Sequence, residues 1–557
     1  MSKVFGFLYR EVRGLHEAAY LLGIFTLTSQ VLALFRDRIL AHEFGAGVTL
    51  DLYYAAFRIP DLLYVLIGSL VSVYVLIPFL SERLLISTEK VRELLSSLYS
   101  FFLMLIVGVS VVIFFLAPTL VPLLFPGFEA SLHGDLTLLV RILLLQPIIL
   151  GVSNLCASVT QVYQKFLLYG ISPILYNIGI ICGVLFFYPL FGIAGLAVGV
   201  ALGAMLHLGI QLPFMISHKL FPSFTVAIEW VVIRKVLSMS VPRTLTLSVG
   251  QILSFVFISI ASYMAVGSIA VFSFAFNLQS VPLAIIGVSY SVAAFPILSR
   301  FITMGDTQSF VHHIGTALRH IVFWAFPATV LLIVLRAQVV RSVLGTGEFD
   351  WADTRLVAAG LALFALSLFA HSVMLVIVRA YYAAGNTLKP FLINAVSSIA
   401  GLSSATLLLS VFSLHEPFQL FMEALLRVEG LPGTEVLMLP LGYTIGMLFN
   451  AMFLLVFFGQ DFSPLSGVLA RVVLHSGFAS LCAGIVAYTG LNLMDDVVDI
   501  NTFVGIALQG AVAGVLGLVA YVAVLYALKN TEVREVIGAF HHKLSAKPTQ
   551  LPDEQME

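Results

Sequence analysis

The chain has 557 residues, 60% of them hydrophobic and only 10% charged, with a formal net charge of −1 and a mean hydropathy of +1.05. Soluble proteins are roughly 45–50% apolar and about 25% charged, so composition excludes an ordinary soluble domain. The near-neutral charge gives no sign of nucleic-acid binding.

Apolar stretches of about 20 residues recur from end to end, each long enough to cross a hydrocarbon core of about 30 Å. The alternating ten-residue segments of a membrane β-barrel are absent. The sequence therefore predicts an all-α polytopic membrane protein. The start, "MSKVFGFLYREVRGLHEAAYLLG", lacks a short apolar core with a small-residue cleavage site, so the first helix is expected to act as its own insertion signal.

Apolar runs between charged or Pro/Gly-rich breaks predict about 14 spans. The first six centre near Thr28, Ile67, Val107, Pro147, Ile178 and Ala204, and the next six near Phe255, Ile285, Thr329, Ser367, Ser403 and Leu448. The last two centre near Ala479 and Gly514. Cys156, Cys182 and Cys482 sit singly in apolar runs, which reads as packing and implies neither disulfide nor metal.

Placing the N-terminus in the cytoplasm puts about 19 of the 28 Lys and Arg on inner segments, among them Lys3, Arg10, Arg13, Lys543 and Lys547. Outer segments or helix ends hold Arg36, Arg38, Arg336, Arg341, Arg355 and Arg427. Both termini are expected inside. Arg58, Arg141 and Arg243 remain within spans.

An internal repeat organises these helices. "YYAAFRIPDLLYVLIGSLVSVYVLIPFLSER" from Tyr53 matches "FSFAFNLQSVPLAIIGVSYSVAAFPILSR" from Phe272, Ala56-Phe57 pairing with Ala275-Phe276 219 positions later. Pro78 pairs with Pro296 at 218, and Pro173 and Asn177 pair with Pro390 and Asn394 at 217. An insertion around "SLHEPFQLFMEALLRVEGLPGTE" then breaks the register. An even unit of about six helices makes the halves parallel repeats, an arrangement suited to alternating access around a central cavity. The expected organisation is an N-lobe over residues 1–220, a C-lobe over 221–460, two further helices over 461–530 and a cytoplasmic tail over 531–557.

Charge within a span faces a cavity, pairs, or snorkels to a headgroup. Arg141, a turn or two beyond "GFEASLHGDL", reads as snorkelling; Arg379, near an inner helix end, reads as snorkelling or loop anchoring. Arg36 lies roughly 12 Å in from the helix end near Phe44, at about 1.5 Å per residue, and Arg58 reaches a comparable depth on the next helix. Two cations at one depth form a candidate anion site. The alternative is a structural network in which Asp37, Asp51 or Asp61 satisfies them. Arg243, after Pro242 at the start of the seventh helix, is a further candidate cation.

A desolvated guanidinium suits phosphate oxygens, including those of a lipid headgroup. No GxxxxGK[ST] loop, HExxH or GxSxG occurs. The pairs His312-His313 and His541-His542 fall in polar inner segments and read as solvated. A transporter without catalytic or metal constellation is expected, with no nucleotide and no nucleic-acid partner.

The segment "RDRILAHEFGAGVTLDLYYAAFRIPDLL" resembles the signature region of the MurJ/MviN lipid II flippases of the MOP exporter superfamily. So do "SPILYNIGII", "GIAGLAVGVALGAMLHLGIQLP", "SVPLAIIGVSYSVAAFPILS" and "VRAYYAAGNTLKPF". The resemblance covers most of residues 16–460. It implies a two-lobed transporter of the bacterial inner membrane, monomeric, surrounded by membrane lipids and serving peptidoglycan synthesis and cell-wall organisation. Its cargo would be undecaprenyl-pyrophosphate carrying the peptidoglycan precursor, bound in a cationic cavity, with the polyprenyl tail in a groove of the last two helices. The membrane potential or an ion gradient, Na+ or H+, would supply the energy, with no other cofactor.

Arg36, Asp37, Asp51 and Arg58 agree with the family pattern. Gln30, Tyr64 and the pair Phe276-Asn277 stand where that pattern has arginine, arginine and Asp-Arg. The alternatives these departures leave open are export of another lipid-linked glycan or an amphipathic drug, and a lipid-binding scaffold that moves nothing.

Overall fold

Lipid offers no partner to a backbone N–H or C=O, so a chain this apolar must close its hydrogen bonds within helices. The computed structural model describes residues 15–535 apart from 69, 71, 72, 500 and 501, and excludes the side chains of residues 15–20, 73–75, 242, 243, 466 and 468. Lys3, Arg10, Arg13, Lys543, Lys547, His541-His542, the chain beyond residue 535 and the Arg243 side chain thus lie outside the described residues. All regular elements among the described residues are helical.

Eleven described helices are long and apolar enough to cross a membrane, and the pair Trp351–Ala365 and Leu368–Ala383, bent by 45°, would make a twelfth. Two expected centres fall outside this set. Thr28 lies on helix Leu15–Phe44, and Ile67 in a run divided into Val48–Ala56, Arg58–Leu63, a π-helical turn Tyr64–Gly68 and Val73–Leu84.

The two segments aligned in the sequence share local devices. Each contains a five-residue π-helix, Tyr64–Gly68 and Ala284–Val288, followed by a helix with an internal proline, Pro78 and Pro296. The next helix in each case has a side-chain cap. Ser87 Oγ accepts from Lys90 N (3.2 Å) and Asp306 from Ser309 N (2.9 Å), again 219 positions apart. Hydrogen bonds from Ser309 hold the Asp306 carboxyl below the usual carboxylate range.

Prolines leave carbonyls without their helical donors, and side chains supply substitutes. Pro118 cannot donate to Phe114, whose carbonyl accepts from Arg141 Nε at 3.0 Å; the guanidinium also lies 4.7 Å from the Phe114 ring centroid. Pro327 cannot donate to Phe323, whose carbonyl accepts from the Tyr521 hydroxyl at 2.6 Å.

The chain gathers into two compact units, Met1–Val281 with Val343–Phe364 and Asn386–Asn450, and Pro282–Ser342 with Ala365–Gly385 and Ala451–Glu557. A core of the first unit packs Leu94, Leu98, Phe102 and Ile106 against Leu155, Val159 and Phe214. In the second unit, Phe323, Ala479, Ala483, Tyr521 and Leu525 bury together with Val533, so the described residues just after the last span pack on their unit. Glu532 there lies 3.7 Å from Arg319.

Helix contact in the first unit depends on small residues. Gly179 on helix Phe166–Cys182, and Gly183 at the start of the π-helix Gly183–Phe187 that continues it, meet Gly199 and Gly203 on helix Ile193–Gly209, so closely that a Cβ on Gly203 would overlap the Tyr176 carbonyl. Small residues at four-residue spacing let membrane helices approach backbone to backbone. Gly203→Leu is expected to cost about 3 kcal/mol or more, because backbone cannot yield as a side chain does. Gly108→Leu, where nothing lies within 4 Å of the added carbon, should leave the thermal unfolding midpoint in detergent unchanged.

Candidate functional site

Arg36 and Asp37 are neighbours on helix Leu15–Phe44, and successive helical side chains do not face each other. The Arg36 side chain therefore folds across its own helix. Its Nε and Nη2 both donate to Asp37 Oδ1, at 3.0 and 2.7 Å, and its Nη1 donates to Asn177 Oδ1 at 3.0 Å. Asn177 is oriented by donating to the carbonyl of Pro173, 3.1 Å away. The second oxygen of Asp37 accepts from Asn277 Nδ2 at 3.1 Å, linking the first helix to helix Ser268–Leu283. Asp37 is buried, while the Arg36 side chain keeps 19% of its surface exposed. Among the described residues three of the five guanidinium N–H groups are engaged, leaving two for a ligand.

Arg58 begins helix Arg58–Leu63. Its Nε donates to the Tyr54 carbonyl at 3.2 Å and its Nη1 to Ser254 Oγ at 2.9 Å, on helix Trp230–Ala261. Asp61, one turn further, accepts from Gln146 Nε2 at 3.5 Å. Tyr64 OH accepts from Asn154 Nδ2 at 2.8 Å. Tyr54, whose buried hydroxyl has no hydrogen-bond partner among the described residues, lies within electrostatic range of Arg36, Asp37 and Arg58. The structure thus brings Arg36, Asp37 and Arg58 into one neighbourhood.

Asp51 lies elsewhere. It is 4% exposed, and its two oxygens accept from Gly267 N (2.6 Å) and Ala270 N (2.8 Å) at the start of helix Ser268–Leu283. Among the described residues it pairs with neither arginine, contrary to its expected role as a cation partner. The reason is local: a helix N-terminus presents unsatisfied N–H groups and positive potential, and a buried carboxylate answers both. Gly267 takes φ +90°, and a Cβ there would overlap the Ala46 carbonyl.

Around Asp51 the loop after the first helix docks on the same unit. Arg38 Nη1 donates to the Val343 carbonyl (3.3 Å), Glu348 N to the His42 carbonyl (2.9 Å) and Ala46 N to Asp353 Oδ2 (3.0 Å). The side chain of Arg243 is outside the described residues.

Sequence reasoning missed Ser254 and Asn277 as partners, and it missed a buried network of three helices. There His207 Nδ1 contacts Ser153 Oγ at 2.7 Å, and Gln211 Nε2 donates to Ser153 Oγ (2.8 Å) and Ser172 Oγ (3.3 Å). The available signal was the four-residue spacing of His207 and Gln211 within an apolar run.

The fold has solved counterparts. A lipid II flippase MurJ in an inward closed conformation superposes with a TM-score of 0.71 at 23% identity, covering 92% of this chain and 100% of that one. An inward-facing multidrug-resistance MATE family transporter of the MOP superfamily gives a TM-score of 0.64 at 13% identity, over 81% and 99% of the two chains. By fold, with arginines set among its spans, the chain is an all-helical multi-span membrane protein. Within that class, residues 40–416 match the family model described as lipid II flippase MurJ. The chain belongs to the MurJ family of lipid II flippases.

Relatives include the lipid II flippase MurJ of Burkholderia cenocepacia, 26% identical over 64% of this chain and 71% of that protein. A probable lipid II flippase MurJ of Buchnera aphidicola is 27% identical over 65% of this chain and 72% of that protein.

Loss of the Asp51 carboxylate strands two buried N–H groups, so Asp51→Ala should cost about 2–3 kcal/mol. Asp51→Asn, which keeps one acceptor oxygen, should lose less. Thermal unfolding in detergent measures both, and faster amide exchange across residues 264–272 should accompany the alanine variant.

Proposed function

We propose that this MurJ-family protein carries lipid II across the bacterial inner membrane by engaging its pyrophosphate at Arg36, with Arg58 as the second cation. The observation that carries this reading is the state of Arg36: partly exposed, pre-oriented by Asp37 and Asn177, and with two N–H groups to spare among the described residues. Orientation before binding lowers the ordering cost of the complex. Export of another glycan or a drug, and a non-transporting scaffold, are the readings that family membership does not favour.

Charge in the neighbourhood is balanced, Arg36 and Arg58 against Asp37 and Asp61. An incoming pyrophosphate therefore competes with existing partners for both cations. As Arg36 turns toward phosphate its hold on Asp37 weakens, and with it the Asp37–Asn277 link. Arg58 turning in the same way would leave Ser254. In this scheme, cargo loosens ties that join the first three helical segments to helices Trp230–Ala261 and Ser268–Leu283, which starts the rocking of alternating access. Both termini face the cytoplasm, a reading the distribution of Lys and Arg supports. Residues 461–530 hold the polyprenyl tail, the transporter works as a monomer, and the membrane potential or a Na+ or H+ gradient drives it.

The test is exposure of lipid II on the outer leaflet of cells depleted of their own flippase and expressing this chain. Wild type should restore exposure. Arg36→Ala and Arg58→Ala, at matched membrane levels, should each reduce it about tenfold or more, the equivalent of one charge-assisted hydrogen bond. Undiminished exposure in both variants would remove the cations from the mechanism. Failure of the wild type to rescue, despite correct insertion, would remove the cargo.

A further inference from the structure

We propose that helix Glu416–Leu426 is a membrane-interface anchor, laying its apolar face into the headgroup boundary of the phospholipid bilayer beside the end of the preceding span. The inference goes beyond cargo transport and stands independently of it. The matched family region ends at residue 416, where this helix begins.

Burial on this helix is inverted. Leu420, Phe421 and Leu425 are 55%, 60% and 58% exposed, and Leu414 just before the helix is also exposed. With the exposed Pro417 and Ala424, the three positions on the helix recur three to four residues apart (417, 420–421, 424–425) and share one face. Of its two acidic residues, Glu416 at the start stays exposed while Glu423 turns inward: it is 7% exposed, and its Oε1 accepts from Gln419 Nε2 (2.9 Å) and Thr434 Oγ1 (2.8 Å). Met422 and Leu426 fill the remaining inner face. In water this orientation is unfavourable on both sides, with large apolar groups hydrated and a carboxylate buried. Against lipid the outer face becomes the favourable one.

Continuity identifies the occupant. The helix follows the span Leu388–Leu414 after one non-helical residue, His415 (φ −123°, ψ 90°). That span itself exposes Val396, Ile399 and Leu407, as a lipid-facing helix must. Phe412 on the span meets Phe418 edge to face at 6.4 Å, fixing the short helix at the span's end. Beyond the helix, the Arg427 carbonyl accepts from Arg355 Nε and Nη2 at 2.9 and 2.7 Å, tying the return loop to helix Trp351–Ala365. The apolar face is therefore held where the lipid-covered surface ends. Amphipathic helices in that location sink about 5–10 Å into the interface.

The test uses the full chain with Cys156, Cys182 and Cys482 replaced by Ser and a nitroxide attached at Phe421→Cys or Leu425→Cys, reconstituted in phosphatidylcholine–phosphatidylglycerol vesicles. Molecular oxygen should relax both labels severalfold more effectively than a water-soluble nickel chelate. A label at Glu429→Cys, on the exposed return loop, should show the reverse order. Preference for the chelate at 421 and 425 would place this face in water and overturn the proposal. Exclusion of both reagents would overturn it in favour of a protein cover, such as a second copy. Should the serine background not elute as a single species, Phe421→Trp in the native-cysteine chain gives the same decision. Its added fluorescence must then be quenched by lipids brominated on the acyl chain, and unquenched emission would overturn the anchor.

Discussion

The first unit depends on one buried anion placed at one helix end. Asp51 accepts two backbone N–H groups at the start of helix Ser268–Leu283, where the helix dipole favours negative charge. Burial of a carboxylate is costly unless it is hydrogen-bonded, so the interaction is specific as well as attractive. It sets the axial position of the receiving helix. Nine residues along that helix, about 14 Å from Ser268, Asn277 meets Asp37 and thereby helps to aim Arg36. A displacement at Asp51 would thus be transmitted along a rigid rod to the candidate cargo cation.

The same economy governs the backbone. Pro118 and Pro327 each free a carbonyl in an apolar setting, and Arg141 and Tyr521 supply the missing donors. Arg141 reads in the sequence as a snorkelling cation, and in the structure it is half-buried with its Nε on the Phe114 carbonyl. Its specific bond needs the partner helix to be known. Glycine plays the complementary role: Gly199 and Gly203 bring helices close by having nothing to bury.

These cases show what is legible in a membrane sequence. Apolar run length reports helices, because spanning imposes it residue by residue. Arg36 and Asp37 are legible as an unusual pair because charge within a span needs a partner or a cavity. The partners at long range are not legible. Asp51 is 216 positions from Gly267, and Asp37 is 240 from Asn277; nothing local distinguishes a carboxylate that caps a distant helix from one that pairs with an arginine. In the sequence Asn277 stands out only as the residue where the family pattern has arginine; in the structure its amide satisfies Asp37 without adding a positive charge. Family membership in turn rests on motif order over residues 40–416, which local geometry alone does not supply.

The charge balance around Arg36 bears on how tightly such a site can hold its cargo. A cation with no carboxylate nearby would bind pyrophosphate strongly and release it slowly, whereas a transporter must do both in each cycle. Asp37 gives Arg36 an alternative partner at all times, so release of phosphate exposes no unpaired buried charge. Asn277 extends this: an arginine at 277 would add a positive charge facing Asp37 and draw that carboxylate away from Arg36. With asparagine there, Asp37 remains chiefly the partner of Arg36, and in the proposed function the two N–H groups left over among the described residues are the ones that meet phosphate. Fewer cations than the family pattern thus need not mean loss of transport. In the proposed function they shift the site toward weaker retention, with the carboxylate–guanidinium pair as the resting state to which the site returns after each release.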